Sequence, residues 1–262
     1  MKYSTPTFDV IAAKLTTSAV AGRRALFAVT TAVTIAFTPI ASIAKTSEIE
    51  SIRAEQLKPT VRQARTAEEI LVKLQKRHYS KLIFDDTLSS QTLDAFIDSL
   101  DPGRLYFTAA DIEQFENYRF TLDDETRRGN LQPGYKIFNT YRANAAQQLT
   151  RLISEIQEQV EEMDFSKDEY ISLKPDTQPW AKDQQALDDR WRKQLKNSVL
   201  SLRLADKDTA DIVTTLTKRY KNQRKQIIQL NTDDAFQMYM NALETQYDPH
   251  NNYFSPRRSE NF

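Results

Sequence analysis

His78 and His250 are the two side chains of this sequence best suited to move a proton near neutral pH. They lie far apart in the chain, and no pair of carboxylates stands at metal-ligand spacing beside either. His78 falls on the apolar side of a helical run, where a satisfied boundary histidine is the expectation. His250 sits in a turn beside Asn251 and Asn252, which suits hydrogen-bonded turn chemistry. The chain has 0 cysteines, which excludes disulfides, thiolate catalysis and Cys-ligated metal. There is no phosphate-cradling glycine loop and no Gly-x-Ser-x-Gly elbow. A Ser/Lys dyad also needs oxyanion donors, commonly from a glycine-containing loop, and no glycine follows Gly134. No catalytic, cofactor-binding or metal-ligating residue is assigned, and no cofactor is expected.

The remaining signal is a repeated string. Asp248 to Phe262 reads DPHNNYFSPRRSENF, and Asp101 to Phe115 reads DPGRLYFTAADIEQF. Asp101-Pro102 matches Asp248-Pro249, Tyr106-Phe107 matches Tyr253-Phe254, and Thr108 falls on Ser255. In both, a proline turn precedes an extended aromatic pair; Pro249 and Pro256 then flank Tyr253-Phe254. The expectation is a turn-and-anchor device used twice, with Leu105–Phe107 and Tyr253–Phe254 as candidates to pair in a tiny two-stranded element.

Composition sets the frame that must hold these strings. Only 4 of 262 residues are glycine, and Lys plus Arg balance Asp plus Glu at 36 each. Scarce glycine with abundant Leu, Gln, Glu, Lys and Arg predicts an all-α protein, an irregular multi-helix domain. Balanced charge gives no polyanion-seeking excess.

The first 44 residues read as an export signal. Lys2, Lys14, Arg23 and Arg24 precede an uncharged run from Ala25 to Ala44, which is broken by Pro39 and ends Ser42-Ile43-Ala44. Small residues at −3 and −1 fit cleavage after Ala44; an uncleaved inner-membrane anchor is the alternative, since 20 uncharged residues can span a bilayer. Removing four basic residues and Asp9 leaves 32 positive and 35 negative charges.

From Lys45 the order is a polar leader followed by helices. Thr66 with Glu69 predicts a capped helix carrying Ala67, Leu71, Leu74, His78 and Leu82 on one face. Ser90 starts a helix with Leu93, Phe96, Ile97 and Leu100 apolar, and Thr108 with Asp111 caps the next. Asp123–Asn130 reads as a charged loop. Pro133 opens the longest helix, to about Met163, whose stripe Phe138, Tyr141, Ala145, Leu149, Leu152, Ile156, Val160 and Met163 makes it the central spine. Ser166 with Glu169 predicts a short helix packing Tyr170 and Ile171. Further helices carry Leu187, Trp191, Leu195 and Val199, then Val213, Leu216, Tyr220 and Ile227, then Phe236, Tyr239, Met240, Leu243 and Tyr247. The basic cluster Lys218, Arg219, Lys221, Arg224 and Lys225 reads as a solvated helix face in preference to an anionic partner, with no nucleic acid expected.

Taken in order, these pieces resemble the start of a tail-specific protease, the periplasmic carboxyl-terminal processing protease family of Gram-negative bacteria. The resemblance rests on Leu100-Asp101-Pro102-Gly103-Arg104-Leu105-Tyr106-Phe107, the Tyr239–Leu243 helix, and Asp248-Pro249-His250 through Tyr253-Phe254-Ser255-Pro256. It covers about Glu55 to Phe262, with Asn251 and Phe254 as modest variants. It implies a signal peptide over 1–44, a helical N-terminal domain over 45–247, and a linker over 248–262 leading toward a PDZ domain and a serine/lysine protease domain. Those two domains are expected outside these 262 residues, so no catalytic serine, lysine or oxyanion donor is carried over. The implied role is a non-catalytic scaffold in an enzyme that trims or degrades periplasmic proteins from apolar C-termini. Its partners would be those two domains, an adaptor protein and, indirectly, protein substrates. The alternative is a free-standing secreted helical adaptor.

Overall fold

The computed structural model describes residues 55–255, and Pro256 and the segment over 1–44 lie outside them. Among the described residues there are eight α-helices and no sheet. They are α1 (Val61–Arg77), α2 (Asp86–Leu100), α3 (Ala109–Glu116), α4 (Leu122–Arg127), α5 (Gln132–Glu161), α6 (Gln184–Arg203), α7 (Thr209–Gln229) and α8 (Thr232–Glu244). No helix among them is long and apolar enough to cross a membrane.

Several starts have a local cause. The Thr60 side chain accepts from the Gln63 N–H while Gln63 reaches back to the Thr60 N–H, closing a capping box on α1. That places the start six residues before Thr66, and the helix stops at Arg77, so His78 is its C-cap and Leu82 is 39% exposed. Asp85 caps α2, Thr108 and Asp111 form the expected box on α3, and Asn231 with Asp234 closes the box on α8. The expected charged loop after Leu122 is instead the short helix α4. The helix expected at Ser166 is absent. Glu169 is drawn to Arg192 and Lys196 on α6, and Tyr170 stands 85% exposed, so no apolar face exists for a helix to bury.

α5 is the spine. Its 30 residues span ~45 Å and belong to two separate cores. The first half, through Tyr135, Ile137 and Phe138, packs with α1, α2, α4 and α8 around Phe96, Phe236 and Tyr239. The second half, through Leu149, Leu152, Ile156 and Val160, packs with α6 and α7 around Trp191, Leu195, Leu216 and Tyr220. α5 meets α8 where Gly134 lies against Tyr239; a Cβ there would stand 2.8 Å from the ring. The Tyr239 hydroxyl is buried 2.7 Å from Thr126 Oγ1 on α4, so one aromatic ties three helices together.

Candidate functional site

The two repeated strings are held very differently, and the first lies between the cores. Asp101 ends α2 and is 1% exposed. Its carbonyl accepts from the Arg104 N–H at 3.0 Å, closing the Asp-Pro-Gly-Arg turn, with Arg104 at φ +50°. Its carboxylate accepts from the N–H groups of Leu105 at 2.8 Å, Tyr106 at 2.8 Å and Phe107 at 3.0 Å. Burial pushes the Asp101 carboxyl above the ordinary range, and the three N–H donors oppose that rise by favouring its ionised form.

With their N–H groups taken, residues 105–107 run extended and adjacent side chains point to opposite sides. Tyr106 enters the second core, edge-on to Tyr141 at 5.6 Å, its hydroxyl 2.8 Å from Gln223 Nε2. Phe107 enters the first core against Phe115 at 5.2 Å. The carbonyls are taken too: Arg190 donates to Arg104 O at 2.8 Å, Trp191 Nε1 to Leu105 O at 2.6 Å, and Asn144 to Tyr106 O at 3.2 Å. Ala109 N–H donates to Ala181 O at 2.8 Å, beside an isolated parallel bridge between Thr108 and Ala181.

The second string leaves α8. The Asp248 carbonyl accepts from the Asn251 N–H at 3.0 Å, the same turn as at Asp101. Its carboxylate, however, faces the surface. It accepts from the Tyr79 hydroxyl and from the His250 N–H at 2.7 Å, and His250 Nδ1 lies 2.8 Å from it. The Tyr79 hydrogen bond, aided by the His250 N–H and ring, pulls the Asp248 carboxyl down to about 2. Pro249 sits in the turn. The Tyr253 N–H donates to Asn241 Oδ1 at 2.7 Å and the ring packs edge-on to Phe236 at 5.1 Å. Phe254 is 46% exposed, and Ser255 is buried beside Gln237.

The structure therefore keeps the repeated turn and removes the expected sheet. Leu105–Phe107 and Tyr253–Phe254 do not pair, because the Asp101 carboxylate holds the first segment's N–H groups and Asn241 takes that of Tyr253. Asp101, Pro102, Tyr106 and Phe107 fasten the interior; Asp248, Pro249, His250, Tyr253 and Phe254 lie together on the segment that follows α8. Tyr79 and Asn241 are the partners that sequence reasoning missed. Neither had a signal, since each meets the Asp248 string only through tertiary packing. His78 stays at the boundary, its Nδ1 accepting from the Ser80 N–H at 3.3 Å and its ring 5.8 Å from Tyr247.

One titratable group near the Asp248 string has no opposite charge beside it among the described residues. Glu244, in the last turn of α8, is 8% exposed, and burial raises its carboxyl to about 7. A cleft of about 710 Å³ lies elsewhere, between the second half of α5 and the start of α6. Leu152, Met163 and Trp191 line it, and ion pairs of Arg151 with Asp188 and Arg192 with Glu169 cross its rim. Among the described residues no group of three or more His, Asp or Glu is placed to hold a metal ion.

Residues 70–257 match the family model for the tail specific protease N-terminal domain. The tail-specific protease of Haemophilus influenzae (strain ATCC 51907 / DSM 11121 / KW20 / Rd) is 28% identical over 191 residues, which is 72% of this chain and 27% of that protein. The chain thus spans about a quarter of the length of the curated relative it matches. With both Asp-Pro turns and all of α2 to α8 inside the matched region, the chain belongs to the tail-specific protease N-terminal domain family.

Proposed function

We propose that residues 55–255 are the non-catalytic scaffold of a tail-specific serine protease, and that Asp248–Ser255 is the exit through which the chain reaches a PDZ domain and a protease domain. The observation that carries this reading is the asymmetry of fastening. The Asp101 string is buried between two cores with its N–H and carbonyl groups satisfied from inside. The Asp248 string carries the same turn but is pinned on one side only, by Tyr79, Asn241 and Phe236. A segment held at discrete points on a rigid body suits the handover of a chain to another domain. The domain would be exported to the periplasm, where the whole enzyme would act on proteins with apolar C-termini.

The chain alone should not turn over peptides bearing such tails. A chimera in which residues 55–255 replace the matched region of the Haemophilus influenzae relative should retain tail-dependent cleavage, and deleting 248–255 from the chimera should abolish it. Turnover by the isolated chain that survives removal of contaminating proteases would refute the scaffold reading.

A further inference from the structure

Beyond its turn, the Asp248 string folds back along the helix it has just left. Gln237, Asn241 and Glu244 stand at i, i+4 and i+7, one per turn on a single side of α8. Gln237 Oε1 accepts from the Ser255 N–H at 3.5 Å and Asn241 Oδ1 from the Tyr253 N–H at 2.7 Å. The Glu244 carbonyl accepts from Asn251 Nδ2 at 3.4 Å. Residues 251–255 therefore run antiparallel to α8 over this stripe. Two places in the row are neutral amides that hold the string by its backbone. The third is a carboxyl.

That carboxyl is badly placed to carry charge. Glu244 is buried in the last turn of α8, where the carbonyl end of the helix disfavours an anion. Among the described residues it forms no ion pair. The titratable groups around it come from three directions. His78, the C-cap of α1, places Nε2 3.4 Å from Asn251 Nδ2. Tyr247 and Asp248 follow directly after α8. Arg127 of α4 and Asp85 at the start of α2 reach Tyr247, while Asp248 is engaged with Tyr79 and His250. Tyr253 lies on the string; its phenol is raised first by burial and then by Asp233 and Glu244, against Arg62 of α1. None of these groups is ion-paired with Glu244, and burial raises its carboxyl to about 7.

Resting on the reading of Asp248–Ser255 as the exit, we propose that Glu244 is a proton-operated latch on that segment. Neutral, it lets residues 251–255 lie along α8; ionised, it favours their release. The core side of α8 opens only with the whole domain, whereas the string is held by a few discrete bonds. Lifting the string is thus the cheapest way to hydrate the charge. The closed form keeps the proton between an ordinary 4.5 and about 7, and the open form has released it. Closure is therefore fully supported at lower pH, and that support is lost as pH rises through 7.

The test is amide hydrogen exchange of the full chain at pH 5 and pH 8, each rate divided by its intrinsic value at that pH. The carboxyl carbon shift of Glu244 is followed by NMR over the same range. Protection at Tyr253 and Ser255 should fall about 10- to 100-fold between the two pH values, and Glu244 should titrate well above the ordinary carboxylate range. Glu244→Gln, which keeps shape and neutrality, should hold the pH 5 protection at both. His78→Gln and His250→Gln should each leave the fall in place. Titration of Glu244 near 4.5, flat protection in the parent, a fall that survives Glu244→Gln, or a fall that vanishes in either histidine variant would overturn the latch. Exchange reads the string whether or not a domain follows it, and the chimera above reads the exit. A chimera that needs 248–255 while the string ignores pH sinks the latch alone. One that cleaves without 248–255 while the string responds sinks the exit reading alone.

Discussion

Asp101 and Asp248 open the same turn, with a carbonyl accepting from the N–H three residues on at 3.0 Å in each case. Beyond the turn they part company. The first carboxylate is buried and gathers three consecutive N–H groups; the second is near the surface and gathers a tyrosine hydroxyl and His250. The extended aromatics that follow alternate in the same way, but the first pair has a core on both sides and the second has one on only one side. Tyr106 and Phe107 each fill a different core, whereas Tyr253 is packed and Phe254 is half out. Sequence alternation thus fixes which way side chains point. Whether a segment is fastened on both sides or on one depends on how many cores meet it.

The largest effects should separate the two strings. Asp101→Ala strands three buried N–H groups and should cost ~3–5 kcal/mol in urea unfolding followed by Trp fluorescence. Phe107→Ala should cost a similar ~3–5 kcal/mol by cavity formation. Asp248→Ala should leave the global midpoint in place and alter only the exit, because its carboxylate partners are surface groups. A global loss at Asp248 equal to that at Asp101 would erase the distinction drawn here.

Glu244, in the last turn of α8 just before the exit, gives a smaller effect with a pH signature. Its carboxyl is raised to about 7 from an ordinary 4.5. Between those values the folded chain keeps a proton that the unfolded chain has released. Stability therefore falls as pH rises across that window and is lowest above 7. Glu244→Gln should flatten this slope and be more stable than the parent by ~2 kcal/mol at pH 8, with little difference at pH 4. Urea midpoints at the two pH values check it.

Within the exit, Tyr253→Ala should cost ~1–2 kcal/mol through lost packing on Phe236 and speed tryptic cleavage at Arg257-Arg258. Phe254→Ala should fall within ~0.5 kcal/mol of the parent. Reversal of that order would mean that Phe254, not Tyr253, pins the segment.

Much of this was legible before any coordinates. The α5 stripe, the Thr108–Asp111 box and the apolar faces of α6, α7 and α8 follow from periodicity, because long amphipathic helices repeat their signal many times. Short signals misled. Thr66-Glu69 has the spacing of a cap, yet Thr60 and Gln63 form the real one; Ser166-Glu169 has it too, yet Glu169 is committed to Arg192 and Lys196. α4 gives no such signal, because six mostly charged residues carry almost no periodicity. The exit's turn could be read from Asp248-Pro249, but its pins could not, since Tyr79 lies 169 residues away in the chain. The division of α5 between two cores was likewise invisible, because one continuous stripe looks the same whether it meets one set of partners or two.

Native-state hydrogen exchange at single amides tests the contrast most directly. Leu105, Tyr106 and Phe107 donate to a buried carboxylate between two cores, so their amides should exchange only through global unfolding. The amides of His250, Asn251 and Tyr253 should exchange through a local opening at least ~100-fold faster, with little dependence on low denaturant. Equal protection in the two strings, rising and falling together with denaturant, would contradict the account, because the exit would then be part of the rigid core.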